Sequence, residues 1–141
     1  MFCIKCHAQT LTSNSRPHKK TPQVWRRRTC KSCGYTFTTY ERISLPDELI
    51  VKGSKEDRAY NPAQLLQSIV ECFAHTADAT QHAYWLLRTI EDSLAANHTP
   101  AIQVGHLKQM VYTTLSGFDD LAGVQYAARH NLKEILRKQQ R

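Results

Sequence analysis

Two Cys-x-x-Cys motifs near the start of the chain constrain its fold more than any other feature. Cys3 and Cys6 form the first motif, Cys30 and Cys33 form the second, and residues 7–29 lie between them. Two residues between thiols allow one tight turn to direct both sulfur atoms at the same ion, and two such turns supply the four thiolates of a tetrahedral zinc site. The spacing therefore predicts a structural Zn²⁺ site without an open position for catalysis, in a segment that needs the metal to fold.

Two alternatives to a four-cysteine zinc site remain open from the sequence. The paired motifs could be redox dithiols, although such a motif normally lies in a longer βαβ context, and His7 could replace a cysteine as ligand. Gly34 directly follows the second motif, where a turn of this kind often needs a positive φ, and His7 takes the equivalent place after the first. The fifth cysteine, Cys72, lies in a helical pattern and is predicted to be a buried free thiol.

The cysteine count and the hydropathy pattern indicate the compartment. Five cysteines, an odd number, argue against a secreted disulfide framework, and in a reducing compartment close cysteine pairs more often bind metal. No apolar stretch approaches the roughly 18 residues needed to span a bilayer. Lys5 and paired cysteines occupy the place where a signal peptide would begin. These features predict a cytoplasmic protein with no membrane partner.

Positive charge is concentrated in the same part of the chain as the cysteine pairs. The whole sequence has a net charge of +7, from 19 Lys or Arg and 12 Asp or Glu. Residues 1–43 hold nine of these bases and one acid, Glu41, whereas the remainder is close to neutral. A compact segment with this excess is stabilised by an anionic partner, and nucleic-acid phosphate is the commonest one. A solvated basic face without a partner is the alternative.

The residues around the second motif predict two β-strands. Residues 23–29 are one candidate strand, and in residues 35–40 threonine alternates with aromatic side chains in the manner of another. With the two cysteine pairs, these strands predict a zinc ribbon. Trp25, Tyr35 and Phe37 fit the small core of such a ribbon, and stacking on nucleic-acid bases is the alternative.

Three consecutive arginines lie in the first of these strands. Side chains alternate along a strand, so Arg26 and Arg28 share one face while Trp25 and Arg27 share the other. The two arginines of one face are about 7 Å apart, which is close to the phosphate spacing of nucleic acid. The predicted contacts with double-stranded DNA are Arg26, Arg27, Arg28, Lys31, Tyr40 and Arg42.

The rest of the chain predicts a small β-hairpin followed by four helices. Residues 44–47 read as a short hinge, and residues 49–52 and 58–60 as the two strands of the hairpin. Asn61 and Pro62 are a strong helix start, because Asn caps the first turn and Pro suits the first helical position. Apolar spacing predicts further helices that begin near Asp78 or Thr80, near Val104, and near Asp119 or Asp120. The last of them has a predicted buried face of Leu121, Val124, Ala127 and Ala128. The pattern is that of an α+β domain, and it contains no recognisable catalytic motif, so we predict that the protein is not an enzyme.

With these parts in place, the chain resembles the NrdR family, the bacterial repressors of ribonucleotide reductase genes. The four cysteines have the family's spacing, and residues 26–43, RRRTCKSCGYTFTTYERI, are similar to the family's sequence at almost every position. The resemblance implies an N-terminal zinc ribbon that binds operator DNA. It also implies a second domain, an ATP-cone, that senses ATP against dATP and switches the oligomeric state.

The second part of the chain resembles an ATP-cone less closely. Its fragments LIVK, YNPAQLLQSI and LAGVQYAARH match the family's pattern, but Gly53-Ser54-Lys55 stands where a Lys-Asp-Gly turn is usual. Gln64 stands where the first helix usually offers a lysine, and His130 replaces an aromatic residue. The residues predicted to bind ATP or dATP are Val51, Lys52, Lys55 and Gln64. A cone that only forms oligomers and binds no nucleotide is the alternative.

These observations predict three segments: a DNA-binding zinc ribbon at residues 1–45, an ATP-cone-like regulatory and oligomerisation domain at 46–132, and a basic helix end or tail at 133–141. The predicted function is that of a zinc-dependent transcriptional repressor of ribonucleotide reductase genes, located at the bacterial nucleoid, in which nucleotide controls a homo-oligomer. A zinc-ribbon accessory factor that binds protein or RNA is one alternative, and a fragment of an enzyme is another.

Overall fold

The computed structural model describes residues 1–97 and 99–132. Backbone contacts divide the chain into two compact units. The first is Met1–Ser44 and is called the ribbon below; the second begins at Leu45 and is called the helical unit. The basic segment predicted at residues 133–141 lies outside the described residues.

The ribbon is built on a three-stranded antiparallel sheet with β2 in the centre. Its strands are β1 (Thr10–Pro17), β2 (Val24–Cys30) and β3 (Thr36–Glu41). The predicted strands correspond to β2 and β3, whereas β1 was not predicted, because its residues are almost all polar and show no alternation. A register shift between Thr12 and Asn14 marks a bulge in β1. Because β2 pairs on both sides, each of its residues from Val24 to Thr29 has a cross-strand neighbour on β1 and another on β3.

The helical unit contains a second, smaller sheet in the order β5-β4-β6. Its strands are β4 (Ile50–Lys52), β5 (Asp57–Ala59) and β6 (Ala101–Gln103). The predicted hairpin is confirmed as the antiparallel pair of β4 and β5. The parallel pairing of β6 with β4 was not predicted, because three residues are too few to show a strand period.

A one-turn helix, α1 (Leu45–Glu48), occupies the segment that was predicted to be a hinge. Leu45 and Leu49 are buried in the hydrophobic core of the helical unit. The boundary between the two units follows Ser44, but residues 45–47 are not a hinge, since two leucines four residues apart anchor this segment to the core on the same side of one helical turn.

Four longer helices complete the helical unit, as predicted. They are α2 (Pro62–Val70), continued by a 3₁₀ turn at Glu71–Phe73, then α3 (Ala79–Ala96), α4 (Val104–Phe118) and α5 (Asp120–Arg129). The cap at Asn61 is confirmed, because its Oδ1 atom accepts hydrogen bonds from the backbone N–H groups of Ala63 at 3.0 Å and Gln64 at 3.2 Å. The α+β fold class is confirmed.

The core of the helical unit lies between these helices. Its fully buried large side chains include Phe73, Ile69, Ile90, Leu115 and Val111. Cys72 is fully buried beside them as a free thiol, as predicted, and its Sγ atom lies 3.3 Å from the Ser68 carbonyl oxygen, to which it donates. No helix in the described part of the chain combines the length and the apolar character that a bilayer crossing requires.

The buried face of α5 differs from the prediction. Leu121 and Ala128 are exposed, whereas the buried residues are Ala122, Gly123, Tyr126 and Ala127. The reason is the close approach of α5 to α4: a Cβ atom added at Gly123 would lie 2.1 Å from Ser116 Oγ. Only small residues fit at this crossing, so alanine and glycine face the neighbouring helix and the larger leucine faces outward.

Candidate metal centre, nucleic-acid interface and ligand cavity

The four paired cysteines of the ribbon converge on one point. All four sulfur atoms lie within 4.8 Å of one another, with Cys3 Sγ 3.8 Å from Cys33 Sγ and Cys6 Sγ 3.5 Å from Cys30 Sγ. These distances are too long for disulfide bonds of about 2.05 Å. Zn–S bonds of about 2.3 Å in tetrahedral geometry place sulfur atoms about 3.8 Å apart. The donor set therefore fits a structural zinc ion.

Backbone geometry explains how the two motifs present their thiols. His7 and Gly34, which follow the two motifs, both have a positive φ, 59° and 70°. Their N–H groups donate to the carbonyl oxygens of Cys3 at 3.0 Å and Cys30 at 3.2 Å, which closes each turn. The two turns are therefore equivalent, and His7 serves as a turn residue. Among the described residues, the metal-binding group contains four cysteines and does not include His7.

Neighbouring N–H and thiol groups shift the pKa values of Cys30 and Cys6 in opposite directions. The backbone N–H of Cys33 lowers the pKa of the Cys30 thiol to about 6. Burial opposes this shift, and the backbone N–H of Ser32 adds to it. The Ala8 N–H favours the Cys6 thiolate, but hydrogen bonds with the Cys30 and Cys33 thiols raise the pKa of Cys6 to about 11. The thiolate is the form that binds metal, so the low pKa of Cys30 favours a metal ligand at that position.

The three consecutive arginines of β2 lie on two different faces of the ribbon sheet. Arg26 and Arg28 face one side, called the Arg26 face. On this face Glu41 Oε2 accepts hydrogen bonds from Arg26 at 2.7 Å and 3.1 Å, and Arg28 Nε donates to Thr39 Oγ1 at 3.1 Å. The guanidinium charge of Arg26 is therefore already matched by a carboxylate.

The opposite side of the sheet, called the Trp25 face, carries Trp25 and Arg27. Arg27 donates to the hydroxyl groups of Thr38 at 3.1 Å and Thr36 at 2.8 Å, which are neutral partners. Tyr40 lies directly opposite Trp25 on β3 and is 57% exposed. The structure thus places Arg27 and Tyr40 together and separates them from Arg26 and Arg28.

Two cation–aromatic contacts add further guanidinium groups to the Trp25 face. The guanidinium carbon of Arg42 lies 4.8 Å from the centroid of the Tyr40 ring, and that of Arg16 lies 5.6 Å from the centroid of the Trp25 ring. Arg16 was not predicted to be functional, because its place opposite Trp25 depends on β1, which the sequence did not reveal. Trp25 and Phe37 are partly buried, whereas Tyr35 is exposed, with its ring 6.1 Å from that of Phe37. Lys31 is exposed in the turn of the second motif.

The helical unit contains a cavity of about 750 Å³ at the open side of the hairpin. Three of the four predicted nucleotide contacts, Val51, Lys55 and Gln64, line it. Lys52 does not, because its side chain lies on the other face of β4, beside a second cavity with Ile102 and His106; its Nζ atom is 3.1 Å from Asp57 Oδ2. The structure therefore brings together three of the predicted residues and sets the fourth apart.

Further side chains that the sequence did not single out line the same cavity. They include Arg58, Tyr60, Ser68, Lys108 and Tyr126. Lysine and arginine are the natural partners of an anionic ligand, but Arg58 forms an ion pair with Glu56 through two of its nitrogen atoms. Lys55 and Lys108 are the two cations that the described residues leave without an ion pair in this cavity.

His130 lines the cavity at the end of α5. Its Nε2 atom lies 2.7 Å from Ser68 Oγ, and its ring centroid lies 4.2 Å from that of Tyr126. Burial, reinforced by the charges of Lys108 and Arg129, lowers the pKa of His130 below its usual 6.5. The imidazole is therefore neutral at pH 7, and it can stack on a ligand ring or hydrogen-bond to it without adding charge.

Comparison with known proteins places these features in context. The family described as "Transcriptional repressor NrdR-like, N-terminal domain" matches residues 1–41, the part that holds the cysteines and the three arginines. A protein of Bordetella avium named "Transcriptional repressor NrdR" is 31% identical over 129 residues, which cover 91% of this chain and 81% of the relative. Proteins of the same name from Geobacillus kaustophilus and Sphingopyxis alaskensis are each 28% identical; the first alignment covers both chains fully, the second 91% of this chain and 83% of the relative.

Proposed function

Because the chain belongs to the NrdR family of transcriptional repressors, we propose that its zinc ribbon binds operator DNA and that its helical unit controls this binding through assembly. Zinc is the structural cofactor of the ribbon: it holds the two cysteine turns together and takes no part in chemistry. The proposed DNA contacts are drawn from the basic surface of the ribbon around β2 and β3. A repressor of this kind acts in the bacterial cytoplasm, at the nucleoid, and has no catalytic role.

The observation that carries the proposal is the charge of the ribbon. Glu41 is its one carboxylate side chain, and that carboxylate is engaged by Arg26 at 2.7 Å. The remaining lysines and arginines of the ribbon have no acidic side chain within their own unit to neutralise them. Duplex DNA presents one negative charge per roughly 1.7 Å of helix axis and exchanges its counterions for such groups, so binding is favourable and strongly dependent on salt.

We propose that the targets are promoters of ribonucleotide reductase genes, on the basis of the family resemblance. The test is fluorescence anisotropy with a labelled promoter duplex and a scrambled duplex of equal length, each at several salt concentrations. Zinc-loaded protein is expected to prefer the promoter, and protein stripped by a chelator is expected to lose binding and regain it when zinc is restored. Equal affinity for both duplexes, or tighter binding to RNA, would favour an accessory factor over a repressor.

The helical unit supports the second half of the proposal through its cavity. A volume of about 750 Å³ lies within the range of small-molecule sites, roughly 300–1,000 Å³. Lys55 and Lys108 offer positive charge to a phosphate, while the half-buried His130 offers an uncharged ring. We propose ATP or dATP as the ligand. Binding that differs between two assemblies would shift the equilibrium between them and so change the affinity for DNA.

A shift between assemblies changes the affinity for DNA because each assembly links several ribbons. A single ribbon supplies few phosphate contacts and hence weak binding. A second ribbon in the same homo-oligomer binds at a high effective concentration once the first is on the DNA, so the geometry of the oligomer sets the overall affinity. A cone that formed such an oligomer without binding nucleotide would still raise affinity but would not be switched.

The cavity provides its own matched control. Lys55→Ala and Lys108→Ala remove cations that line the cavity, whereas Lys52→Ala removes an equal charge from the other face of the same hairpin. Isothermal titration with ATP and dATP is expected to show weaker binding for the first two variants and unchanged binding for the third. Mass measurement in solution with and without nucleotide tests the change of assembly. If wild-type protein binds neither nucleotide, the helical unit serves for assembly alone.

A further inference from the structure

We infer that the ribbon contacts duplex DNA through its Trp25 face, that Arg16 belongs to the contact surface and is positioned by Trp25, and that Arg26 serves the structure of the ribbon. This inference rests on the proposed function, because it names the surface by which the ribbon binds DNA. The central feature is a row across the sheet, Arg16, Trp25, Tyr40 and Arg42, called the guanidinium–aromatic row. A sequence of three consecutive arginines does not distinguish the two faces, whereas their cross-strand neighbours do.

The two faces of the sheet differ in charge. On the Trp25 face, Arg16, Arg27 and Arg42 supply three guanidinium groups, and the residues described on that face include no carboxylate. On the Arg26 face, Glu41 pairs with Arg26 and leaves Arg28 as the one guanidinium without an acidic partner. A phosphate backbone that approaches the Arg26 face would have to compete with Glu41. The Trp25 face presents the larger uncompensated charge.

The guanidinium–aromatic row holds its terminal arginines in defined positions. Cross-strand register places Arg16 opposite Trp25, and Trp25 opposite Tyr40, on one face of the sheet. Each terminal guanidinium rests over a ring, at 5.6 Å for Arg16 and 4.8 Å for Arg42. A guanidinium that is already held in this way loses less side-chain freedom on binding, and its N–H edges remain available for two hydrogen bonds to one phosphate.

The same contacts favour duplex backbone over single-stranded nucleic acid as the partner. Proteins that bind single strands stack the bases on open aromatic faces. In this ribbon, the rings of Trp25 and Tyr40 already carry the protein's own guanidinium groups, so they are not open platforms. Their role is to position Arg16 and Arg42 for phosphates that a duplex holds at fixed spacing, and a β-ribbon is one of the elements that proteins place against DNA grooves.

Salt dependence of DNA binding separates the two faces. Each lost phosphate contact reduces the slope of log affinity against log salt by about 0.9 for duplex DNA. Arg16→Ala, Arg27→Ala and Arg42→Ala are each expected to reduce the slope by about that amount. Arg26→Ala and Arg28→Ala remove the same unit charge from the Arg26 face and are expected to leave the slope unchanged. A zinc assay on every variant shows that the ribbon remains folded.

Trp25 is tested as a positioning residue through its effect on Arg16. Trp25→Leu is expected to reduce the slope as Arg16→Ala does, and to cause no further loss when both changes are combined. Trp25→Phe keeps a ring under the guanidinium and is expected to retain most of the wild-type slope. Trp25 does not act by holding Arg16 if Trp25→Leu and Trp25→Phe reduce the salt slope equally. The same conclusion follows if the reduction from Trp25→Leu adds fully to the reduction from Arg16→Ala.

The outcomes distinguish this inference from the function on which it rests. If wild-type protein binds no promoter duplex, the proposed function fails. If it binds and the slope falls for Arg26→Ala and Arg28→Ala, or equally for variants of both faces, the function stands and the assignment of the Trp25 face is overturned. If a single strand competes more strongly than the duplex, the aromatic rings accept bases and the positioning role is overturned.

Discussion

The packing of α5 against α4 provides a prediction that can be worked out from distances. A Cβ atom at Gly123 would lie 2.1 Å from Ser116 Oγ and 3.0 Å from both Ser116 Cα and Cβ. The hydroxyl can rotate away, but the backbone carbon cannot, so Gly123→Ala forces the two helices apart. Such overpacking costs about 1–3 kcal/mol, against about 0.5–1 kcal/mol that alanine gains over glycine inside a helix. We expect a net loss of about 1–2 kcal/mol in the free energy of unfolding.

Gly117 in α4 is the matched control, because a Cβ atom added there meets no other atom within 4 Å. Gly117→Ala keeps the gain in helix propensity without the clash, so it is expected to be neutral or to stabilise the helical unit by up to about 1 kcal/mol. The assay is urea unfolding followed by circular dichroism at 222 nm, where the helical unit dominates the signal. In thermal unfolding, 1 kcal/mol corresponds to about 4–8 °C for a unit of this size.

Ser116→Ala tests the cause. The Ser116 hydroxyl oxygen is buried and has no hydrogen-bond partner among the described residues, so its removal alone is expected to be neutral or stabilising. In the double variant the shortest contact disappears while the 3.0 Å approach to Cα remains, so the penalty of Gly123→Ala should shrink but not vanish. If Gly123→Ala stabilises as much as Gly117→Ala, or if Ser116→Ala leaves its penalty unchanged, the close approach does not limit this crossing.

Three further predictions concern other parts of the molecule. Cys30→Ser is expected to abolish zinc binding and unfold the ribbon while the helical dichroism persists, and a variant that still holds one zinc per chain would contradict the four-cysteine site. Asn61→Ala removes an acceptor of two backbone N–H groups at the start of α2 and should cost about 1 kcal/mol in urea unfolding; an unchanged midpoint would show that the cap carries no stability. Because the pKa of His130 is lowered, the imidazole binds a proton more weakly in the folded state than in the unfolded state. The contribution of neutral His130 to stability is therefore complete above pH 6.5 and is lost as the pH falls below that value. A smaller fall in the melting temperature between pH 7.5 and 5.5 for His130→Phe than for wild type is the expected result, and parallel curves would remove His130 as the source.

Local chemistry explains which parts of the structure the sequence could predict. Some features depend only on residues a few positions apart: the cysteine turns, the cap at Asn61 and the apolar stripes of the helices. For these features, the spacing of the residues in the chain largely determines their arrangement in space. The strands β1 and β6 depend on partners far along the chain. β1 consists almost entirely of polar residues, and pairing with β2 stabilises their extended conformation. In the same way, pairing with β4 stabilises the three residues of β6. Neither carries a local signal strong enough to predict a strand.

The candidate sites follow the same division. Val51, Lys55 and Gln64 meet at one cavity because β4 and α2 are near neighbours in the chain, whereas Lys108 and His130 reach it from helices that begin more than forty residues later than α2. Lys52 was grouped with Val51 because both belong to the fragment LIVK, which resembles the hairpin of an ATP-cone. Adjacent residues of a strand face opposite sides, and the second side of β4 became a separate environment only through the pairing with β6.

The two faces of the ribbon show why register is decisive for function. From the sequence, Arg26, Arg27 and Arg28 are three equal charges on one strand, and alternation alone assigns two of them to one face and one to the other. That count favours the face with Arg26 and Arg28. The neighbouring strands reverse the balance. β3 adds Glu41 to the face with two arginines, whereas β1 adds Arg16, and the residue directly after β3 adds Arg42, to the face with one. The charge of a sheet face is set by all strands that contribute to it, and the strand with the most arginines does not by itself identify the surface that presents them to a phosphate backbone.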